Sequence, residues 1–555
     1  IATHMMILKR SIPVFSLLLA ACVHAPQQAV SAAPAAPKEE AAAPVAEAAP
    51  LNLPRLELSR DMLYEFLVAD VANQRGNQEL AVQIYRDLAN ETQDPRVARR
   101  AAQLAMEAHM PEQAVDALKL WLKLEPASAH ARQLLAMMLL TGGRLEEASP
   151  HLEGMLAASG EQAGHTLMQI YSMLARYPDK QAAYKLMRDL AQPYPKFAEG
   201  HLVLAQAALA ADQRAQALEE VRKARTLRPD WEGTVQLEAQ LLKQDSPQQA
   251  LALLKQYLDA HADADDVRLL YGRMLMEQKQ YASARAEFQR LSAAHPENAD
   301  LAFAIAMLSL QMGELDQAEK GLQQTLARGK KDEGTVYYYL GQLQEAREDD
   351  AAALKTYRMV KGGEHAYSAS LRIAYLLSKA GKLDEARDTL HRTVAENNQQ
   401  RVQLLLIEAQ LLNDARQVAA AYDVLVQGLD KLPSHPDLLY QAAMLADQLG
   451  KHDVFERMMR KVIELRPDSA QAYNALGYSL LDRNERVAEG MRLVAKASQL
   501  APDDAAIMDS VGWGHYRMGN LELGLKFLHR AYSANPDPEI AAHLGEVLWM
   551  QGGKE

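Results

Sequence analysis

The chain of 555 residues contains one cysteine, Cys22, so no internal disulfide can hold it together. Aromatic residues are only 6% of the composition, and no β-branched alternating run occurs anywhere. A strand-based fold is therefore excluded, leaving an all-α reading. Positive charge is also in deficit, with a formal net charge of −12. Polynucleotides need a basic face, so nucleic acid is excluded as a partner. Local clusters such as Arg96/Arg99/Arg100 and Arg457/Arg460/Lys461 read as solvated helix faces. Catalytic motifs are missing too. There is no His-Glu-x-x-His, no cysteine pair, no Gly-x-x-x-x-Gly-Lys-Ser/Thr and no Gly-x-Ser-x-Gly. No two of the 16 histidines stand four apart, which excludes the simplest helical metal site. The expectation is a chain that is not an enzyme and takes no cofactor and no metal.

What the sequence has is a period. A small residue returns every 33 to 35 positions: Ala81, Ala114, Ala148, Ala183, Ala217, Ala250, Ala284, Ala318, Ala353, Ala386 and Ala421, then, after Phe455 breaks the run, Gly490 and Gly524. A second small series precedes it by about a dozen positions, running from Ala69 and Ala102 to Gly477, Gly512 and Gly545. Proline closes the unit at 126, 195, 229, 296, 433, 467, 502 and 536, and glycine stands mid-unit at 76, 143, 313, 381, 450 and 519. The unit is thus two helices that cross where only a small side chain fits. Glycine ends the first helix in a left-handed conformation and proline ends the second. One pair alone cannot bury both of its faces, so pairs must stack.

These residues resemble the tetratricopeptide repeat (TPR) family. The closest matches are Tyr473…Leu476-Gly477…Gly490…Pro502, Tyr337…Leu340-Gly341…Ala353…Tyr357 and Arg268…Tyr271-Gly272…Ala284…Phe288…Pro296. The resemblance implies an all-α TPR solenoid, a superhelix of about fourteen helix pairs from about Ser59 to Pro536. A capping helix would follow at about Pro538 to Gln551, within a solenoid domain of residues 58–555. It implies nothing specific about the ligand. TPR proteins that are enzymes carry a separate catalytic domain, and no segment long enough for one remains.

The beginning of the chain reads differently. Residues 1–4 look like a remnant ahead of a start at Met5 or Met6. Lys9-Arg10 then precede an apolar core from Ile12 to Ala21 that is too short to span a bilayer. Residues 1–21 are expected to be this remnant and a signal peptide. Leu19-Ala20-Ala21-Cys22 resembles a bacterial lipobox, which implies lipidation of Cys22 and cleavage just before it. The alternative is an ordinary signal cut near Ala32 or Ala33, with Cys22 an incidental thiol. Val23 stands where inner-membrane retention uses Asp, so the resemblance favours the periplasmic face of the outer membrane, with lipid anchoring. With Cys22, residues 23–57 form an Ala/Pro-rich tether that cannot build a core and averages about 30–35 Å as coil. Leu51, Leu53, Leu56 and Leu58 are expected to staple onto the first repeat, with partner binding the alternative.

In TPR arrays the first helix of each pair lines the inner groove. Projected onto this chain, that pattern gives Phe303, Met307, Tyr338, Gln342, Tyr375, Tyr440, Met444, Asn474, Tyr478, Trp513 and Tyr516, and Trp549 on the cap joins them as a candidate protein-binding residue. The Lys and Asn set of chaperone-binding TPR clamps is absent. Flexible Met and mixed aromatics suit folded protein partners, although many of these rings would equally pack between repeats. Trp513 and Trp549 are expected as exposed anchors. A lipid-anchored solenoid of this length also resembles LbcA-type adaptor lipoproteins. That resemblance implies binding of a periplasmic carboxy-terminal processing serine protease, to which murein (peptidoglycan) hydrolases are delivered as substrates for proteolysis. The alternative is an assembly factor for a secretin, pilus, barrel-assembly or exopolysaccharide export machine. Direct polysaccharide binding is disfavoured by a total of 4 Trp.

Overall fold

The computed structural model describes residues 53–54 and 56–552. The signal segment, the lipobox Leu19-Ala20-Ala21, Cys22 and nearly all of the tether lie outside the described residues. Among those described, 77% are helical, no strand occurs, and there are 29 α-helices. They fall into fourteen antiparallel pairs from Arg60 to Ala534 and a single terminal helix, Pro538–Met550.

The last pair shows why the sequence makes this unit. Asp504 opens Ala505–Arg517 by accepting from the N–H groups of Ala506 and Ile507 at 2.9 and 3.2 Å. Gly519, at φ +82°, stops that helix, and the Asn520 side chain opens Leu521–Ala534 by accepting from Leu523 N–H at 3.2 Å. At the crossing the two backbones nearly touch. A Cβ on Gly512 would lie 3.0 Å from the Gly524 carbonyl oxygen, and one on Gly524 would lie 3.2 Å from that of Gly512. Gly477 and Gly490 repeat the arrangement one pair earlier, at 2.9 and 3.0 Å.

Every member of the first small series is buried, as are the members of the second from Ala69 to Gly512. Phe455 is buried as well, at 1% exposure, in one core cluster with Ala442, Ala443 and Ala446 of the preceding helix. Three alanines there leave the volume that the ring fills. Gly545 alone in the second series is exposed, because no second helix crosses the terminal one among the described residues. All six mid-unit glycines take positive φ, from +71° to +82°. Where glycine is lacking, His109, Asp212, Lys279, Glu348, Arg416 and Asn484 adopt the same left-handed turn at φ of +55° to +63°.

Contacts group the chain into two compact units, one ending at Ala318 and one beginning at Glu319. In the first, the apolar core runs between the helix layers from Ala69 to Leu241 and again from Val235 to Leu308. In the second, the largest cluster runs from Val402 to Leu476 and a further one from Leu481 to Val547.

The first unit also has a brace that the repeat period does not announce. Arg132, His201 and Arg268 are each the fourth residue of the first helix in alternate pairs. Each reaches back to a loop carbonyl six residues earlier: Pro126 at 2.7 Å, Pro195 at 3.1 Å and Ala262 at 2.7 Å. Each also reaches the second helix of its own pair, at Gly154 O (3.0 Å), Glu220 (2.6 Å) and Glu287 (2.6 Å). One Arg or His side chain thus ties the entry loop to both helices.

Leu53, Leu56 and Leu58 do not staple onto the first repeat. They are 37%, 55% and 63% exposed, too open for a buried staple, and Leu51 lies outside the described residues.

Candidate protein-binding surface

The groove residues projected from the sequence all fall on first helices of pairs, as the repeat requires, but they differ in accessibility. Phe303 and Met307, on Ala299–Gln311 in the first unit, are buried at 4% and 6% exposure and offer no open surface to a partner. In the second unit, Tyr338, Gln342, Tyr375, Tyr440, Met444, Asn474, Tyr478 and Tyr516 are all half-buried. The structure draws several of these into two side-chain clusters, both within that unit.

The first cluster joins Ala470–Asp482, Ala505–Arg517 and the terminal helix Pro538–Met550. Trp513 stacks on His543 with ring centroids 4.3 Å apart, and Tyr516 lies 5.0 Å from the indole. The Arg517 guanidinium sits 5.5 Å from the same ring, on the geometry of a cation–π contact. His543 Nδ1 donates to Asp509 at 2.9 Å, and Tyr478 Oη lies 3.3 Å from His543 Nε2 while donating to Glu539 at 2.9 Å. Tyr516 donates to Glu546 at 3.0 Å. Burial and the Glu539 carboxylate push the Tyr478 phenol up. Burial alone would lower the His543 pKa, but Asp509, with Glu539 and Asp482 behind it, raises it.

This cluster corrects one expectation. Trp513 is 4% exposed, so it is not an exposed anchor; the terminal helix lays His543 across its face. Its Nε1 and the Oδ1 of Asn474 are buried without a protein partner. Trp549 is exposed at 66%, on the opposite part of the terminal helix.

The second cluster surrounds Tyr338. Its ring lies flat on His365 at 4.5 Å with 4° between planes, and Tyr357 is 5.8 Å away. Tyr357 is fully buried and donates to Glu345 at 2.6 Å. Arg372 pairs with the same carboxylate, its Nε donating at 2.9 Å, and lies 5.0 Å from the Tyr375 ring. Burial first and Glu345 second hold the Tyr357 phenol far above its usual range. Burial likewise raises the phenols of Tyr338 and Tyr440.

Sequence reasoning missed His543, Glu345, Arg372 and His365, and with His543 its pairing to Asp509. The available signal was spacing, since Asp509 and His543 stand one repeat apart. Chemically, both clusters spend most of their donors and acceptors on one another, Trp513 Nε1 being the exception. They form stiff faces of phenol, imidazole and carboxylate, suited to contact with a partner. No group of three or more residues that could hold a metal occurs among the described residues. No helix among them is long and apolar enough to cross a membrane.

Family models for the tetratricopeptide repeat match residues 241–296, 275–343, 368–397 and 436–469. A TPR repeat-containing protein of Pseudomonas aeruginosa is 35% identical over 496 residues, covering 88% of this chain and 82% of the relative. Two solved structures are similar at lower identity. The Cut9–Hcn1 hetero-tetramer of the APC/C matches at 14% identity and a TM-score of 0.29, over 88% of this chain and 97% of that one. The C-terminal part of a TPR repeat-containing protein from Cytophaga hutchinsonii matches at 14% and 0.36, over 44% and 99%. Both TM-scores are low, and the family assignment rests on the bacterial relative.

Proposed function

The chain belongs to the tetratricopeptide-repeat proteins, and from that premise we propose that it is a non-enzymatic adaptor that holds two proteins together. TPR arrays are typically non-catalytic scaffolds suited to protein–protein interaction. The observation that carries the adaptor reading is that helix pairs occupy the described chain from Arg60 to Ala534 without interruption. An array of that length offers more surface than one peptide ligand needs. Tethering two proteins raises the effective concentration of each for the other to about the millimolar range, with no chemistry required of the tether.

The lipobox at Leu19–Cys22 and the Ala/Pro stretch behind it support the finer reading. The mature protein is a lipoprotein anchored through Cys22 to the periplasmic face of the outer membrane. It binds a carboxy-terminal processing serine protease and delivers murein hydrolases to it. Peptidoglycan hydrolysis would then be controlled through proteolysis.

Affinity capture with residues 23–555 from a periplasmic extract, followed by mass spectrometry, tests this. A serine protease recovered together with cell-wall hydrolases is the expected result. A secretin, barrel-assembly or export component without a protease would replace the adaptor with an assembly factor. Separately, Cys22→Ser should move the protein from the membrane to the soluble periplasmic fraction; retention in the outer membrane would refute the anchor.

A further inference from the structure

In the last three pairs the second helices all turn the same side outward. The crossing residues Phe455, Gly490 and Gly524 are buried, and so are the residues four and seven positions further on in each helix. At 3.6 residues per turn, positions two and six further on fall on the opposite face. All six of those positions are basic. His452–Leu465 carries Arg457 and Lys461, Val487–Leu500 carries Arg492 and Lys496, and Leu521–Ala534 carries Lys526 and Arg530. In the eleven earlier pairs the same two positions hold six basic and six acidic residues out of twenty-two, which cancel. On a chain of net charge −12, six cations at six equivalent positions are a local reversal of sign. Five of the six are exposed and Lys461 is half-buried. Lys461 reaches Glu464 at 2.9 Å and Arg530 lies 5.9 Å from the Phe527 ring, whereas Arg457, Arg492, Lys496 and Lys526 form no ion pair with a described residue.

The shape and the edges of this row select its ligand. Arg460 pairs with Glu456 on its own helix and with Glu489 on the next, which holds the first two of these helices side by side. At packed-helix spacings of about 8–10 Å the row runs roughly 20 Å across three helices, and its two files stand about 6 Å apart. One edge carries exposed carboxylates, Asp453, Glu464 and Glu522. An anionic bilayer laid on the row would meet that edge too and be repelled by it. The other edge carries Leu465, Leu500 and Leu523, each 37% exposed. A sugar or phosphate polymer has no apolar side chains to set on them. A narrow positive file with leucines beside it matches an acidic polypeptide. We propose that the row binds an extended acidic segment of a partner protein. About six extended residues span it, with Asp or Glu on the cations and apolar side chains on the leucines. The row lies on second helices, whereas the Trp513 cluster lies on first helices and the terminal helix. It therefore gives the scaffold another point of attachment, whichever proteins the array serves.

The test uses the full chain and a fluorescent peptide of about a dozen residues, Glu with Leu at every third position. Anisotropy titration should show saturable one-to-one binding that weakens with salt. Arg457→Gln with Arg492→Gln and Lys526→Gln should weaken it about tenfold. Lys185→Gln with Lys320→Gln and Lys355→Gln removes the same charge from the same repeat position in earlier pairs, and should change it less than about twofold. All six of these side chains are exposed, so both variants should keep the parent's helix content by circular dichroism. Replacing the peptide's Leu by Ser should weaken binding too. Equal weakening by the two triple variants would overturn the proposal, because the row would then act only through overall charge. So would unchanged binding of the Ser peptide matched by polygalacturonate, which would make the ligand an anionic glycan. Absence of peptide binding would also overturn it, and phosphatidylglycerol vesicles that then sediment the parent but not the row variant would make the row a membrane contact.

Discussion

Replacing glycine by alanine at two positions of the same repeat series should have opposite signs. At Gly341 a new Cβ would lie 2.6, 2.7 and 2.8 Å from three ring atoms of Tyr357. Real Cβ atoms essentially never approach a neighbour so closely, so something must shift. Tyr357 cannot shift freely, because its ring is fully buried and its hydroxyl donates to Glu345, which also pairs with Arg372. Overpacking of this kind costs about 1–3 kcal/mol, and three simultaneous contacts argue for the upper part of that range. Alanine is the better helix former by about 1 kcal/mol, so the net expectation for Gly341→Ala is a loss of about 2 kcal/mol. At Gly545 a Cβ would meet nothing within 4 Å, so only the helix preference remains, a gain of up to about 1 kcal/mol. Repeat arrays do not unfold as one two-state unit, so the assay must be local. Hydrogen exchange read by mass spectrometry should show faster exchange in peptides covering 333–379 of Gly341→Ala. In Gly545→Ala, peptides covering 538–550 should exchange more slowly. If both variants move in the same direction, the crossing argument is wrong.

Three further outcomes are expected. Lys279→Gly relieves a left-handed residue at φ +59° and should stabilise the pair Asp265–Glu277/Tyr281–Ala294 by about 1 kcal/mol in local exchange. Arg268→Met leaves the nearly buried Glu287 carboxylate with only the exposed Arg290, 2.8 Å away, as its partner. It should cost about 2 kcal/mol in local hydrogen exchange of the pair Asp265–Glu277/Tyr281–Ala294, and adding Glu287→Met should recover much of that. Docking of the terminal helix should be pH-dependent. His543 carries a pKa raised above its unfolded 6.5 and faces Asp509, Glu539, Tyr478 and Asp482. Its contribution is therefore complete below pH 6.5 and is lost as pH rises through the folded value, so residues 538–550 should exchange faster above that value than below it. His543→Gln should abolish the difference.

The fold was legible because its constraints are steric and local. Only small residues fit the crossings, only residues tolerant of positive φ fit the mid-unit turns, and proline cannot continue a helix. Each of those leaves a mark at a fixed position in the sequence. The side-chain clusters left fainter marks, because they depend on which residues a repeat apart come to face one another. Asp509 and His543 are separated by 34 positions, and nothing local to either says that they pair. Trp513 was misjudged for the same reason: its exposure is decided by a helix that begins at Pro538. The brace at Arg132, His201 and Arg268 occurs in three alternate pairs of the first unit, a spacing that the single-repeat pattern conceals. Leu56 and Leu58 had apolar character suited to a staple, yet both are more than half exposed, since apolar character alone does not fix what a segment packs against.

The most direct test of the adaptor account is a proteolysis assay with purified components: a carboxy-terminal processing protease, one murein hydrolase and increasing amounts of this chain. A scaffold that must hold both proteins at once accelerates cleavage at low ratios and slows it again in excess, when protease and substrate sit on different copies. The account predicts that rise and fall. Cleavage that climbs to a plateau without falling would mean that the chain activates the protease rather than bridging it to its substrate. A rate that never responds to the chain would contradict the adaptor reading outright.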